Sequence, residues 1–120
     1  MPRAERRRVS AGGGSMLGMT FVNTGWLGVK PGRREELVAL LTAPSPELEA
    51  AGCLRYDVGV ADDEPDRVFV VEYWRSAEAH RASLELPSVR AAITSAMPLL
   101  SGEMGGSRFE LRGSPLAPTG

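Results

Sequence analysis

Residues 68–75 read Val68-Phe69-Val70-Val71-Glu72-Tyr73-Trp74-Arg75, and the fold follows from this run and what flanks it. Its β-branched and aromatic content predicts a strand. Val68 and Val70 alternate with Phe69 and Val71, so neither face of that strand is polar. A strand that is apolar on both faces belongs in a sheet buried on both sides. On its N-terminal side, Asp62-Asp63-Glu64-Pro65-Asp66 is a polar turn. Before the turn, residues 53–60 (CLRYDVGV) alternate, with Leu54, Tyr56, Val58 and Val60 on one face. The two runs make a β-hairpin.

Working outward, Ser76 suits the N-cap of a helix running through about Leu84. Pro87 opens a further helix, on which Val89, Ile93, Met97 and Leu100 form the apolar stripe. A last strand is expected around Ser107–Arg112, where Phe109 and Leu111 alternate. Towards the N-terminus, residues 20–29 (TFVNTGWLGV) read as a strand that Lys30-Pro31-Gly32 ends. Leu37, Val38, Leu40 and Leu41 then share one helical face behind the charged turn Arg33–Glu36. Pro44 and Pro46 break that helix, and Ser45 can cap a short turn that stops at Gly52.

The order is β-α-β-β-α-β, which is the ferredoxin-like α+β sandwich: a four-stranded antiparallel sheet with both helices on one side. Pairing two uncovered sheet faces gives a dimeric α/β barrel, so a homodimer is expected. The domain spans residues 19–112. Residues 1–18 read as a basic, glycine-rich extension with no apolar periodicity, and residues 113–120 as a loose tail.

Composition narrows the function. A chain of 120 residues has room for one domain, which buries about two-thirds of its unfolded surface. Arg3, Arg6, Arg7 and Arg8 against Glu5 give residues 1–15 a charge of +3, which leaves −4 on the rest of a chain of net charge −1. That balance argues against a nucleic-acid partner, which calls for a basic face. Cys53 is the single cysteine, so no intramolecular disulfide forms and a reducing, cytoplasmic setting is expected. No apolar h-region follows Arg6-Arg7-Arg8, so these residues do not read as an export signal. No apolar run approaches the roughly 18–20 residues that span a bilayer, so no membrane association is expected. His, Cys and carboxylates show no metal spacing, and no Walker or dinucleotide glycine pattern occurs. Neither a metal nor a cofactor is expected.

Gly52-Cys53-Leu54-x-Tyr56, the loop, and then Val70-Val71-Glu72-Tyr73-Trp74-x-Ser76-x-x-Ala79 resemble the antibiotic biosynthesis monooxygenase superfamily. That superfamily includes quinol monooxygenases, anthrone oxygenases and haem-degrading monooxygenases. The resemblance covers roughly residues 19–112. In the anthrone-oxygenase branch, an asparagine on the first strand and a tryptophan on the third point into the cavity between sheet and helices. Asn23 and Trp74 match those two positions. The resemblance implies oxidation of a small aromatic substrate, a quinol or polycyclic phenol, by dioxygen without metal or flavin. The protein's task would be to orient the substrate and stabilise its developing oxyanion.

The residues themselves add to this. Asn23 shares strand parity with Phe21, Leu27 and Val29, so its carboxamide sits among apolar neighbours and needs a partner in protein or ligand. Glu72 has the parity of Trp74 and Val70; it can serve as a general base in a dry cavity or as an arginine partner. Tyr56 can supply a hydroxyl or pack in the dimer face, while Val70, Phe21 and Leu84 are expected to line the substrate site. His80, the only imidazole, can accept a proton near neutral pH, but its place on the helix reads as a surface one.

Two positions depart from the relatives. The anthrone branch's second asparagine falls at Val70, and the quinol branch's familiar histidine falls at Ser83. The haem branch's axial histidine has no counterpart in Val89–Ala96. A non-catalytic barrel that binds a small aromatic is the second reading. A polyketide cyclase or isomerase, with Glu72 abstracting a proton and no oxygen consumed, is the third.

Overall fold

The computed structural model describes residues 20–116; the extension at 1–18 and the last four residues of the tail lie outside that range. The elements are β1 (Phe21–Val29), α1 (Arg34–Leu41), α2 (Pro46–Ala50), β2 (Cys53–Gly59), β3 (Arg67–Trp74), α3 (Ala77–Ser83), α4 (Pro87–Ala96), a 3₁₀ turn (Met97–Leu99) and β4 (Leu100–Glu110). The four strands form one antiparallel sheet in the order β2-β3-β1-β4. This is the α+β ferredoxin-like sandwich that the element order implies.

Register decides which side chains share a face. Phe21, Asn23, Gly25 and Leu27 of β1 stand opposite Trp74, Glu72, Val70 and Val68 of β3. Those four β3 residues are buried, whereas Arg67, Phe69, Val71 and Tyr73 between them are only half-buried. The helices therefore cover the face that carries Val68, Val70, Glu72 and Trp74; on the other face Val22 is buried and the β3 side chains are half-buried. Within a single chain, β3 is buried on one side, not on both.

The core fills one end of the covered face. Val29, Leu37, Val68, Ala96 and Leu99 form it, with Leu27, Val58 and Leu100 packed against them. Leu37 projects from α1 and is fully buried. The other end of the same face holds Phe21, Asn23, Glu72 and Trp74.

Four expectations about the elements are corrected. The apolar stripe on α4 is not Val89, Ile93, Met97 and Leu100: Ile93 and Met97 are 47% and 61% exposed, and Ala96 and Leu99 are the buried residues. Small Ala96 lets the helix approach closely, a signal that a stripe of large residues hides.

The last strand starts at Leu100, seven residues before the expected Ser107. Its front half carries Gly102, Gly105 and Gly106, so it lacks an alternating side-chain pattern and is held by main-chain pairing to β1. Gly106 is required there, because an added Cβ would lie 2.1 Å from the Thr24 carbonyl oxygen.

On β2, the register shifts between Cys53 and Arg55. That irregularity turns Leu54 out to 51% exposure and leaves Cys53, Tyr56 and Val58 on the covered face. Ser45 precedes α2 without a side-chain cap bond.

Candidate functional site

Opposed strands and one helical turn bring the site together. Asn23 on β1 faces Glu72 on β3, and Trp74 follows two residues on, with the same parity. Ser76 then ends the strand and caps α3, its Oγ accepting from the Ala79 N–H at 3.0 Å. The cap fixes where α3 begins, so His80 is carried back over the sheet.

Glu72 is the hub. Asn23 Nδ2 donates to its Oε2 at 2.9 Å, and Trp74 Nε1 donates to its Oε1 at 3.0 Å. Arg108 Nε donates in turn to Asn23 Oδ1 at 3.3 Å. Trp74 is 1% exposed and Glu72 8%. Both partners of the carboxylate are uncharged donors, so no arginine pairs with Glu72 directly. The Trp74 indole N–H is engaged within the protein.

His80 is not a surface residue. It is 7% exposed, its ring centroid 5.6 Å from that of Phe21 and 5.5 Å from that of Trp74. Its Nε2 stands 3.8 Å from Glu72 Oε1, beyond hydrogen-bond reach. Neither ring nitrogen hydrogen-bonds to another described residue. Burial pushes its pKa below the ordinary histidine value; Arg108 and Arg81 act in the same direction and Glu72 opposes them. Burial thus favours the neutral imidazole, whose ring nitrogens lack a hydrogen-bond partner among the described residues.

The remaining expected residues divide. Tyr56 is opposite Glu72 on the covered face, where burial pushes its phenol well above the usual range. Val70 is buried between Gly25 and Val58 in register. Phe21 is half-buried against His80. Leu84 caps the C-terminal end of α3 and is 42% exposed, so it does not join the cluster. Ser83 is buried and donates to the His80 carbonyl at 2.6 Å. It therefore holds the helical turn that carries the imidazole. Cys53, opposite Trp74, is partly buried and its thiol pKa is raised by that burial.

Arg108 has no signal in the sequence. Its place beside Asn23 depends on the β1–β4 register, which side-chain alternation does not reveal. Among the described residues, no three His, Cys, Asp or Glu side chains come together as a metal site. No helix among them is long and apolar enough to cross a membrane.

A sequence model of the antibiotic biosynthesis monooxygenase family matches residues 20–95, which takes in β1 through most of α4. The chain belongs to the antibiotic biosynthesis monooxygenase family. A solved structure from Chloroflexus aurantiacus J-10-fl, provisionally named an antibiotic biosynthesis monooxygenase, is 32% identical. The match covers 84% of this chain and 97% of that one, with a TM-score of 0.65. Protein SO0527 from Shewanella oneidensis is 26% identical over 77% of this chain and 90% of its own, with a TM-score of 0.66. A similarly named Nitrosomonas europaea protein is 18% identical, covers 86% of this chain and 96% of its own, and has a TM-score of 0.69; it supports the fold alone. No curated protein matches the chain. The matched range includes the Gly52–Ala79 segment that carries the resemblance.

Proposed function

We propose that the protein is a cofactor-independent monooxygenase acting on a quinol or polycyclic phenolic substrate. The observation that carries this reading is His80: a buried, neutral imidazole whose ring nitrogens have no hydrogen-bond partner among the described residues. Buried polar groups are nearly always bonded, and an unbonded one fits a catalytic role. His80 takes the phenolic or benzylic proton. Glu72 is a positioning residue, its two oxygens already engaged by Asn23 and Trp74. The substrate anion passes one electron to dioxygen, the radical pair recombines to a hydroperoxide, and loss of water leaves the carbonyl product. Dioxygen is thus the oxidant, with one of its atoms in the product and the other in water.

Stopped-flow oxygen uptake with a panel of anthrones and hydroquinones tests the reading. Uptake matched to product is expected, while turnover that persists without oxygen would replace it with the isomerase or cyclase reading. A specific observation favours a non-catalytic aromatic-binding protein as the second reading. Trp74 is fully buried and its indole N–H is engaged by Glu72, so it serves the wall of the site more than a substrate platform. Absence of uptake across the panel would select that reading.

The same proposal includes a homodimer. The open sheet face presents Trp26, Phe69, Val71, Tyr73 and Phe109, with the Arg67 guanidinium 3.7 Å over the Trp26 ring. Contiguous apolar surface of this kind favours pairing with a second copy. Val71→Lys places a charge in the middle of that face beside Asp57, its register partner, which accommodates the charge in a monomer. Sedimentation velocity is expected to show a dimer for the wild type and a monomer for the variant. A wild type that sediments as a monomer would remove the barrel assembly.

A further inference from the structure

Helix α3 (Ala77–Ser83) sits on the polar end of the sheet without a hydrogen bond to it. Among the described residues, every hydrogen bond made by residues 77–83 runs to a residue between Ser76 and Leu86. Of the helix's 7 residues only His80 and Ser83 are buried, and both are polar. The Ser83 hydroxyl bonds the His80 carbonyl within the same helix and reaches nothing on the sheet. Ala79 lies against Gly52, where an added Cβ would stand 3.2 Å from the Ala79 methyl. That contact joins two small residues and holds little apolar surface. The imidazole, packed against Phe21 and Trp74, is therefore the main side chain that seats α3.

This seat suits an uncharged ring and not a charged one. Both oxygens of Glu72 already accept from Asn23 and Trp74, and its Oε1 stands 3.8 Å from Nε2, too far for a hydrogen bond. The other charges acting on the ring, Arg108 from β4 and Arg81 from α3 itself, oppose a proton there. β1 offers Phe21 and Asn23, which carry no charge. β2 offers Tyr56 and Cys53, whose groups burial keeps in their neutral, protonated forms. A charged imidazole in this place is buried with its donors unsatisfied, which is costly. Carried off the sheet on α3, the same ring is hydrated. Burial and the two arginines outweigh Glu72, so the docked ring holds a proton less tightly than a ring in water.

We propose that α3 is a proton-released lid: when His80 gains a proton, residues 77–83 lift from the sheet and uncover Phe21, Glu72 and Trp74. The ends that confine the movement are the Ser76 cap and the turn at Leu84–Leu86. Glu72 restrains the opening, because its charge is the one acting on the ring that favours the proton. The lid itself requires no oxidation chemistry. One consequence rests on the functional reading above: the proton that His80 takes from the substrate also opens the way out for the product.

Amide hydrogen exchange followed by NMR on the full chain, from about pH 8 to about pH 5, brackets the ordinary histidine range and tests the lid. The His80 midpoint is read from its carbon-bound ring protons in the same samples. By linkage, protection of the amides of residues 80–83 is expected to fall about tenfold for each pH unit by which that midpoint lies below 6.5. The β1 and β3 amides are expected to keep theirs. His80→Phe leaves a ring between Phe21 and Trp74 with nothing to titrate, and is expected to give α3 a flat profile. His80→Gln is expected to give the same flat profile without the larger ring. A midpoint at or above 6.5, α3 protection that stays constant while the ring titrates, a loss shared equally by the sheet, or a loss that persists in both variants would each overturn the lid. A chain whose α3 opens on acid but which takes up no oxygen loses only the monooxygenase reading. One that takes up oxygen with a pH-independent α3 loses only the lid.

Discussion

His80→Gln is expected to lower kcat on an oxidised phenol by about 10²–10⁴-fold, the usual contribution of a positioned proton acceptor. Glutamine keeps much of the volume between Phe21 and Trp74 and supplies no base. The pH profile separates lost chemistry from lost packing. The folded imidazole has its pKa lowered by burial, so the wild type holds its active, neutral form down past the ordinary histidine value of 6.5. Its kcat/KM falls only once acid protonates the buried ring. The variant's residual rate has no such acid limb.

Stability follows the same sign. The unfolded chain binds a proton at His80 more readily than the folded one, so this group stabilises the fold above the unfolded pKa. That contribution is lost as pH falls through it. Denaturant melts from neutral to acid pH are therefore expected to show a loss in the wild type that is smaller in His80→Gln. An unchanged rate and an unchanged pH profile in the variant would remove His80 from the mechanism.

The parts of this molecule that were legible in its sequence are those where side chains alternate. β3 shows its strand through Val68–Trp74, and the parity of Glu72 with Trp74, and of Asn23 with Phe21, places all four on one face. The observed register puts them there. Leu54 escaped because a bulge is a main-chain event: one shifted pairing sends it out although the residue pattern puts it in. Arg108 escaped for a related reason. β4 is paired through Gly105 and Gly106, and no side-chain pattern records which of its residues meets Asn23. His80 is legible as a residue but not in its burial. A single histidine early in a short helix is buried or exposed according to how the cap at Ser76 docks that helix, and the local spacing does not contain that angle. Ser83 falls where the resemblance implies a histidine, and its hydroxyl holds the turn that carries His80.

Glu72→Ala is expected to destabilise the fold by about 2–4 kcal/mol, since two donors lose their acceptor and each buried orphan costs roughly 1–3 kcal/mol. The two are not equal. Trp74 is 1% exposed, so water cannot readily take the place of the carboxylate at its Nε1. Asn23 is half-buried, and its amide can turn towards solvent. Most of the loss therefore belongs to Trp74, and this makes the expectation testable by a double-mutant cycle. In a Trp74→Phe background one orphan donor is already gone, so Glu72→Ala should cost less there, as urea melts would show. Glu72→Gln keeps the shape and one acceptor but turns an amide N–H₂ towards the other donor, and should fall between wild type and alanine. If Glu72→Ala costs the same in both backgrounds, the Trp74 bond is not what holds Glu72. A carboxylate buried against neutral donors is itself costly to keep. In the proposed mechanism that cost is offset when His80 takes the substrate's proton, because Glu72 Oε1 then stands 3.8 Å from a charged ring.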